Sequence, residues 1–143
     1  MRLPVKSRLA WIHDNLMYWG EDPDLRARIV SVMNQLPDRI AAFALERCGF
    51  VSVGRASLGI ILPGRVGVHN GRSRNVWIIV LDERMSPEDV DGVIAHEIAH
   101  AWRGGDRLGM MPKDCEVETA RLVKEWGFTG TGADEKFHAK WSM

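Results

Sequence analysis

Ser86-Pro87-Glu88-Asp89-Val90-Asp91-Gly92-Val93-Ile94-Ala95-His96-Glu97-Ile98-Ala99-His100-Ala101-Trp102 is the stretch on which the reading of the fold turns. It opens as a helix start. Ser86 suits the N-cap, Pro87 the first turn, and the acids at 88 and 89 the positive end of the helix dipole. Gly104-Gly105 ends the helix. In between, Val90, Val93, Ile94, Ala95, Ile98, Ala99, Ala101 and Trp102 cover nearly the whole circumference, so the pattern predicts a helix buried all round. Three polar residues interrupt it. His96 and His100, four apart, share one face and can hold one metal ion between them. Glu97 sits about a quarter-turn away, within reach of a water on that ion. On a core helix such groups are costly unless they find partners. The blander alternative is a pair of core histidines bonded to backbone, beside a partly exposed glutamate.

Working upstream, Val76-Trp77-Ile78-Ile79-Val80-Leu81 is β-branched and apolar on both faces, as in a well-covered strand. Asn70-Gly71 is a hairpin signal, in a loop that looks longer than two residues. From Phe50 to Val68, apolar residues alternate with small or polar ones among frequent glycines, which is strand-and-turn chemistry. The first third is helical by pattern. Leu9, Ile12, Leu16 and Trp19 place a helix over Ser7 to Trp19, and Gly20 and Pro23 break it. Leu25, Ile29, Val32, Met33 and Leu36 form a second stripe. Pro37 opens a third helix running to Cys48, with Gly49 as its C-terminal cap. Downstream, a helix over roughly Cys115 to Trp126 stops at Gly127. Gly130 and Gly132 link it to a tail, Ala133 to Met143, that reads as a short helix. Phe137, His138 and Trp141 on the tail suit a docked terminal helix, or a segment folded over the site. The pattern is α+β: N-terminal helices, a short twisted sheet, the histidine-bearing helix, then C-terminal helices.

The 143 residues fit one domain, 1–143, large enough to bury a core without staples. Net charge is zero, which argues against a general role on nucleic acid or membrane. The charge is split: residues 1–75 carry 11 Lys and Arg against 6 Asp and Glu, and residues 76–143 carry 8 against 13. Arg55, Arg65, Arg72 and Arg74 could meet a local anionic partner, or form a solvated face. The two cysteines, Cys48 and Cys115, form no disulfide framework and read as small buried residues of a reducing compartment. No secretory signal is legible, and the longest strongly apolar run, Val76 to Leu81, is too short to span a bilayer, so the expected location is cytoplasmic.

The five residues at 96–100 match HExxH, the pattern of zinc metallopeptidases. By chance a chain of this length carries it about once in a few hundred. A catalytic zinc needs a third protein ligand and one open position. His13, His69 and His138 do not follow His100 at short spacing, so a carboxylate is the better candidate. Thr119, Leu122, Val123 and Trp126 form the apolar stripe of the downstream helix, bordered on opposite sides by Glu116 and Glu118. Glu116 is the first choice, with Glu118 and Asp106 as alternatives.

Val76 to Leu81, Ser86 to His100 and Glu116 to Phe128 together resemble the gluzincin branch of zinc metallopeptidases. The nearest resemblance is to its small soluble members, the minigluzincins and the domains related to ImmA/IrrE. It covers about residues 76–128 and implies a small zincin-like fold with one zinc ion held by His96, His100 and Glu116. It also implies Glu97 as general base for hydrolysis of peptide bonds, with an endopeptidase favoured over an exopeptidase. In that branch an acid normally steadies a ligand histidine. Ala120 stands in its place here, which leaves Asp91 or Glu118 as substitutes. The oxyanion partner would come from a pool that includes Tyr18, His69, Arg103, Arg107, Arg121 and His138, with His69 and Tyr18 foremost. The resemblance makes Val76 to Leu81 the edge strand that binds a peptide or protein substrate in extended form; an interior strand is the alternative. A competing functional reading is a non-catalytic zinc-binding or regulatory interaction domain with a degenerate site.

Overall fold

The computed structural model describes residues 5–53, 59–67, 73–83, 86–103 and 112–128, with side chains described for 7–53, 64, 73–83, 86, 89–103 and 117–128. The element order is α1 (Val5–Asn15), β1 (Met17–Trp19), α2 (Pro23–Gln35), α3 (Asp38–Arg47), β2 (Cys48–Val53), β3 (Gly59–Gly67), β4 (Ser73–Asp82), α4 (Pro87–Trp102) and α5 (Pro112–Glu125). This is a small α+β domain. The tail from 129 onward, the Asn70-Gly71 turn, Asp106, Arg107, His69 and His138 lie outside the described residues.

The strands form one sheet in the order β1-β2-β4-β3. β1, β2 and β4 run parallel, and β3 pairs antiparallel with β4 from Gly67↔Ser73 to Gly59↔Leu81. That pairing across residues 68–72 is what the hairpin signal at Asn70-Gly71 predicts. It also corrects one expectation. Val76 to Leu81 lies in β4, inside the sheet, hydrogen-bonded to β2 on one side and β3 on the other. A strand paired on both sides cannot also offer main-chain groups to a peptide. Among the described residues, the edge on this side belongs to β3, and β3 is also the strand in closest association with α4.

The N-terminal third departs from its sequence pattern at two points. Met17, Tyr18 and Trp19 form a short strand, not the end of the first helix. α1 stops at Asn15, and Leu16 donates its N–H to the Ile12 carbonyl, closing the last turn. Gly49 is not a helix cap. Cys48 at the end of α3 is already extended, with φ −119° and ψ 134°, and the chain passes straight into β2. Gly49 serves the sheet instead: a Cβ there would sit 2.5 Å from the Trp19 ring, so only glycine lets the indole lie across β2.

Other local signals act as expected. Asp22 caps α2 by accepting the N–H groups of Asp24 and Leu25 at 3.0 and 3.2 Å, with Pro23 in the first turn. α5 ends in a Schellman motif: Phe128 donates to the Val123 carbonyl and Gly127 to that of Lys124, with Gly127 at φ +91°.

α4 occupies the centre. α2, α3 and α5 pack around it together with β3 and β4. Val90 and every residue from Gly92 to Ala101 are buried, the all-round burial its composition predicts. Trp102, at its end, stacks edge-on against Phe43 with centroids 5.1 Å apart and lies under Arg39 at 5.3 Å, which ties α4 to α3. Ser86 is the N-cap residue, yet its hydroxyl donates to the Asp89 carboxylate at 3.0 Å and makes no side-chain cap bond.

Arg8 holds the helical layer together at its far corner. Its buried guanidinium donates to the carbonyls of Met33 and Leu36 at 3.1 and 2.6 Å and pairs with the Asp38 carboxylate. One side chain from α1 thus adds donors to carbonyls at the end of α2 and meets the first turn of α3. Replacing Arg8 with Met keeps the apolar stem and removes the guanidinium from those carbonyls and from Asp38. Arg8→Met should lower stability to urea unfolding by about 2 kcal/mol; an unchanged midpoint would show that the carbonyls find water at no cost.

Candidate metal centre

His96 and His100 are 3% and 1% exposed, and Glu97 between them is 1% exposed. Helical spacing puts the two imidazoles one above the other, with ring centroids 4.6 Å apart and planes at 73°. Their Nε2 atoms point at each other across 3.0 Å. The distance is informative. Two nitrogens bound to a tetrahedral zinc at about 2.0 Å each would be separated by about 3.3 Å. The donors are therefore convergent and close to the spacing a single ion requires. In the metal-free chain the same 3.0 Å contact is a hydrogen bond between the two rings. Glu97 Oε1 and His96 Nδ1 are also sealed from solvent.

α5 closes the site from one side. Thr119, fully buried, brings its hydroxyl to 3.5 Å from His100 Nδ1. This contact fixes which face of α5 looks at the histidines. Residues three and four from Thr119 share that face, so the backbone of Glu116 lies on it one turn earlier, while Val123 and Trp126 continue it and are buried. The Glu116 side chain lies outside the described residues. Glu118 is on a different face. Its carboxylate accepts from Arg121 at 3.1 Å, and Arg121 also reaches Glu125 at 3.1 Å, forming a solvent-exposed network along the helix. Among the described residues, no three His, Cys, Asp or Glu side chains gather as a metal site.

The remaining candidates are dispersed. Tyr18 lies on β1 at the opposite side of the sheet from β3, and its hydroxyl sits 3.1 Å from the Asp22 carbonyl and 3.0 Å from Ser52 Oγ. Asp91 pairs with Arg28 of α2 at 3.4 Å. The two acids suggested as substitutes at Ala120, Asp91 and Glu118, are thus placed in ion pairs with arginines. The group that does meet His100 is Thr119, which the sequence pattern assigns to an apolar stripe. Cys48 is buried at the α3–β2 junction, and burial pushes its thiol pKa up to about 12, favouring the neutral thiol. A groove lined by Phe43, Arg47, Val76, Trp77 and Trp102 opens beyond the end of α4, on the helix face turned away from the histidines.

No family model matches the chain, and neither a curated protein nor a solved structure matches it. No described helix is long and apolar enough to cross a membrane.

Because Glu116 shares the Thr119 face and Glu118 does not, the two carboxylates should separate cleanly in a zinc-binding titration. Glu116→Ala should weaken zinc binding at least tenfold relative to wild type, and Glu118→Ala should leave it within about twofold. The reverse order would move the third ligand to Glu118.

Proposed function

We propose that this protein is a zinc-dependent peptidase of small zincin-like fold, with His96, His100 and Glu116 as metal ligands and Glu97 as general base. The observation that carries the reading is the pair of buried Nε2 atoms converging to 3.0 Å on a helix whose next buried polar residue is a glutamate. A site built for stability alone has no use for a buried base beside the ligands, which favours hydrolysis over a purely structural metal centre.

When bound, zinc would supply Lewis acidity, lowering the pKa of a water and polarising the scissile carbonyl. The chain's own residues do the rest. His96 and His100 present neutral imidazole nitrogens from successive turns of α4 and hold them rigidly, because α4 is packed on all sides. Glu97 takes the proton of the attacking water as the new C–O bond forms and delivers it to the amine as the C–N bond breaks. Its burial keeps bulk water from competing for that proton.

The substrate is a peptide or protein segment in extended conformation. β3 is the element suited to receive it, since it lies at the edge of the sheet and against α4. Strand addition there would give main-chain bonds along β3 and side-chain contacts on alternate residues. Among the described residues no strand pairs with the outer side of β3, which would admit chain on both sides of the cleaved bond and favours an endopeptidase.

Glu97→Gln removes the base and preserves shape. In a fluorescence assay with labelled, unfolded casein, this variant should lose at least about 100-fold of the wild-type rate while binding zinc as before. Full hydrolysis by Glu97→Gln at wild-type zinc content would refute the role of Glu97.

A further inference from the structure

The contact between Thr119 and His100 carries a conclusion about the proton inventory of the site, and it rests on the zinc reading above. The Nε2 atoms of His96 and His100 lie 3.0 Å apart, a hydrogen-bond distance. Between two neutral imidazoles, one Nε2 must then carry a proton and the other must accept it. Thr119 Oγ1 lies 3.5 Å from the other nitrogen of His100, at the long end of hydrogen-bond range, in a fully buried setting. A helical threonine has the carbonyl one turn back as a ready acceptor for its own proton, which turns an oxygen lone pair outward. That lone pair is then available to an N–H at His100 Nδ1.

We propose that Thr119 is a positioning residue that holds His100 in the Nδ1–H tautomer, so that its Nε2 lone pair is permanently aimed at the metal position. The assignment propagates. With Nδ1 protonated, His100 Nε2 is an acceptor, and the proton between the rings belongs to His96 Nε2. The metal-free protein therefore holds the two histidines in opposite tautomers, and only His96 must move a proton before an ion can bind. A hydroxyl in this place also differs from a carboxylate in kind. It orients the imidazole without adding negative charge, so the ligand is fixed in direction and made less basic than a carboxylate would make it.

Three chains separate the possibilities: wild type, Thr119→Val, which keeps the shape and deletes the hydroxyl, and Thr119→Ser, which restores it. Long-range 1H–15N spectra of the metal-free proteins report the tautomers directly. Wild type and Thr119→Ser should show His100 protonated at Nδ1 and His96 at Nε2, and Thr119→Val should lose the preference at His100. In competition titrations against a chelator, Thr119→Val should bind zinc about 10- to 100-fold more weakly than wild type. Thr119→Ser should stay within about threefold of it, with thermal midpoints showing all three chains folded. Wild-type His100 protonated at Nε2, or equal zinc affinity in wild type and Thr119→Val, would overturn the assignment while leaving the zinc site standing. If wild type itself fails to bind zinc, the peptidase reading falls, and the tautomer spectra alone decide what Thr119 does.

Discussion

The interaction on which the rest depends is the burial of three polar side chains within one otherwise apolar helix. α4 is enclosed by three helices and two strands, and within that enclosure His96, Glu97 and His100 have almost no contact with solvent. Each buried polar group that lacks compensation costs about 1–3 kcal/mol, against a total stability of about 5–15 kcal/mol for a domain. The arrangement reduces that cost by turning the imidazoles toward each other and by placing a hydroxyl behind one of them. The same convergence makes them a two-nitrogen claw. Stability and chemistry thus pull the same way, because the convergence that lets the rings meet each other also leaves their nitrogens at the spacing one ion would use.

The surrounding architecture serves to keep that geometry stiff. The Phe43–Trp102–Arg39 stack fixes the C-terminal end of α4 to α3, and Arg28 grips Asp91 nearer its start. Arg8 locks α1, the end of α2 and the first turn of α3 into one corner. α5 comes in from the other side with Thr119, Val123 and Trp126 facing inward, and its Schellman turn at Gly127 brings Phe128 back into the core. The sheet contributes an antiparallel edge, β3, beside α4.

Much of this was legible in the residue pattern, for reasons that are local. α2 and α4 announce themselves through capping residues, proline in the first turn and periodic apolar positions, all within a few residues of one another. The hairpin joining β3 to β4 follows from Asn70-Gly71 between apolar runs, and the buried circumference of α4 from its composition alone. What was not legible depends on partners distant in sequence. Met17-Tyr18-Trp19 is too short to display an alternation, and becomes a strand because Gly49 and Phe50, some thirty residues on, pair with it. Val76 to Leu81 reads identically as an edge or an interior strand until β2 and β3 are seen on either side. Thr119 belongs to an apolar stripe by spacing, and its hydroxyl acquires meaning only because His100 lies opposite on another helix. Of the site, the two histidines and the glutamate of α4 were visible in sequence; the Thr119 hydroxyl beside His100 was not.

The central claim is that the buried trio on α4 is a metal site, and folding stability as a function of free zinc tests it most directly. Urea unfolding would be followed from chelator-buffered traces of zinc to saturation. The account predicts one ion per chain and a wild-type stability that rises by about 1.4 kcal/mol for each tenfold increase in free zinc above the dissociation constant. It also predicts a flat response when His96 and His100 are both replaced by Ala. A wild-type chain whose unfolding is indifferent to zinc over the whole range would contradict it.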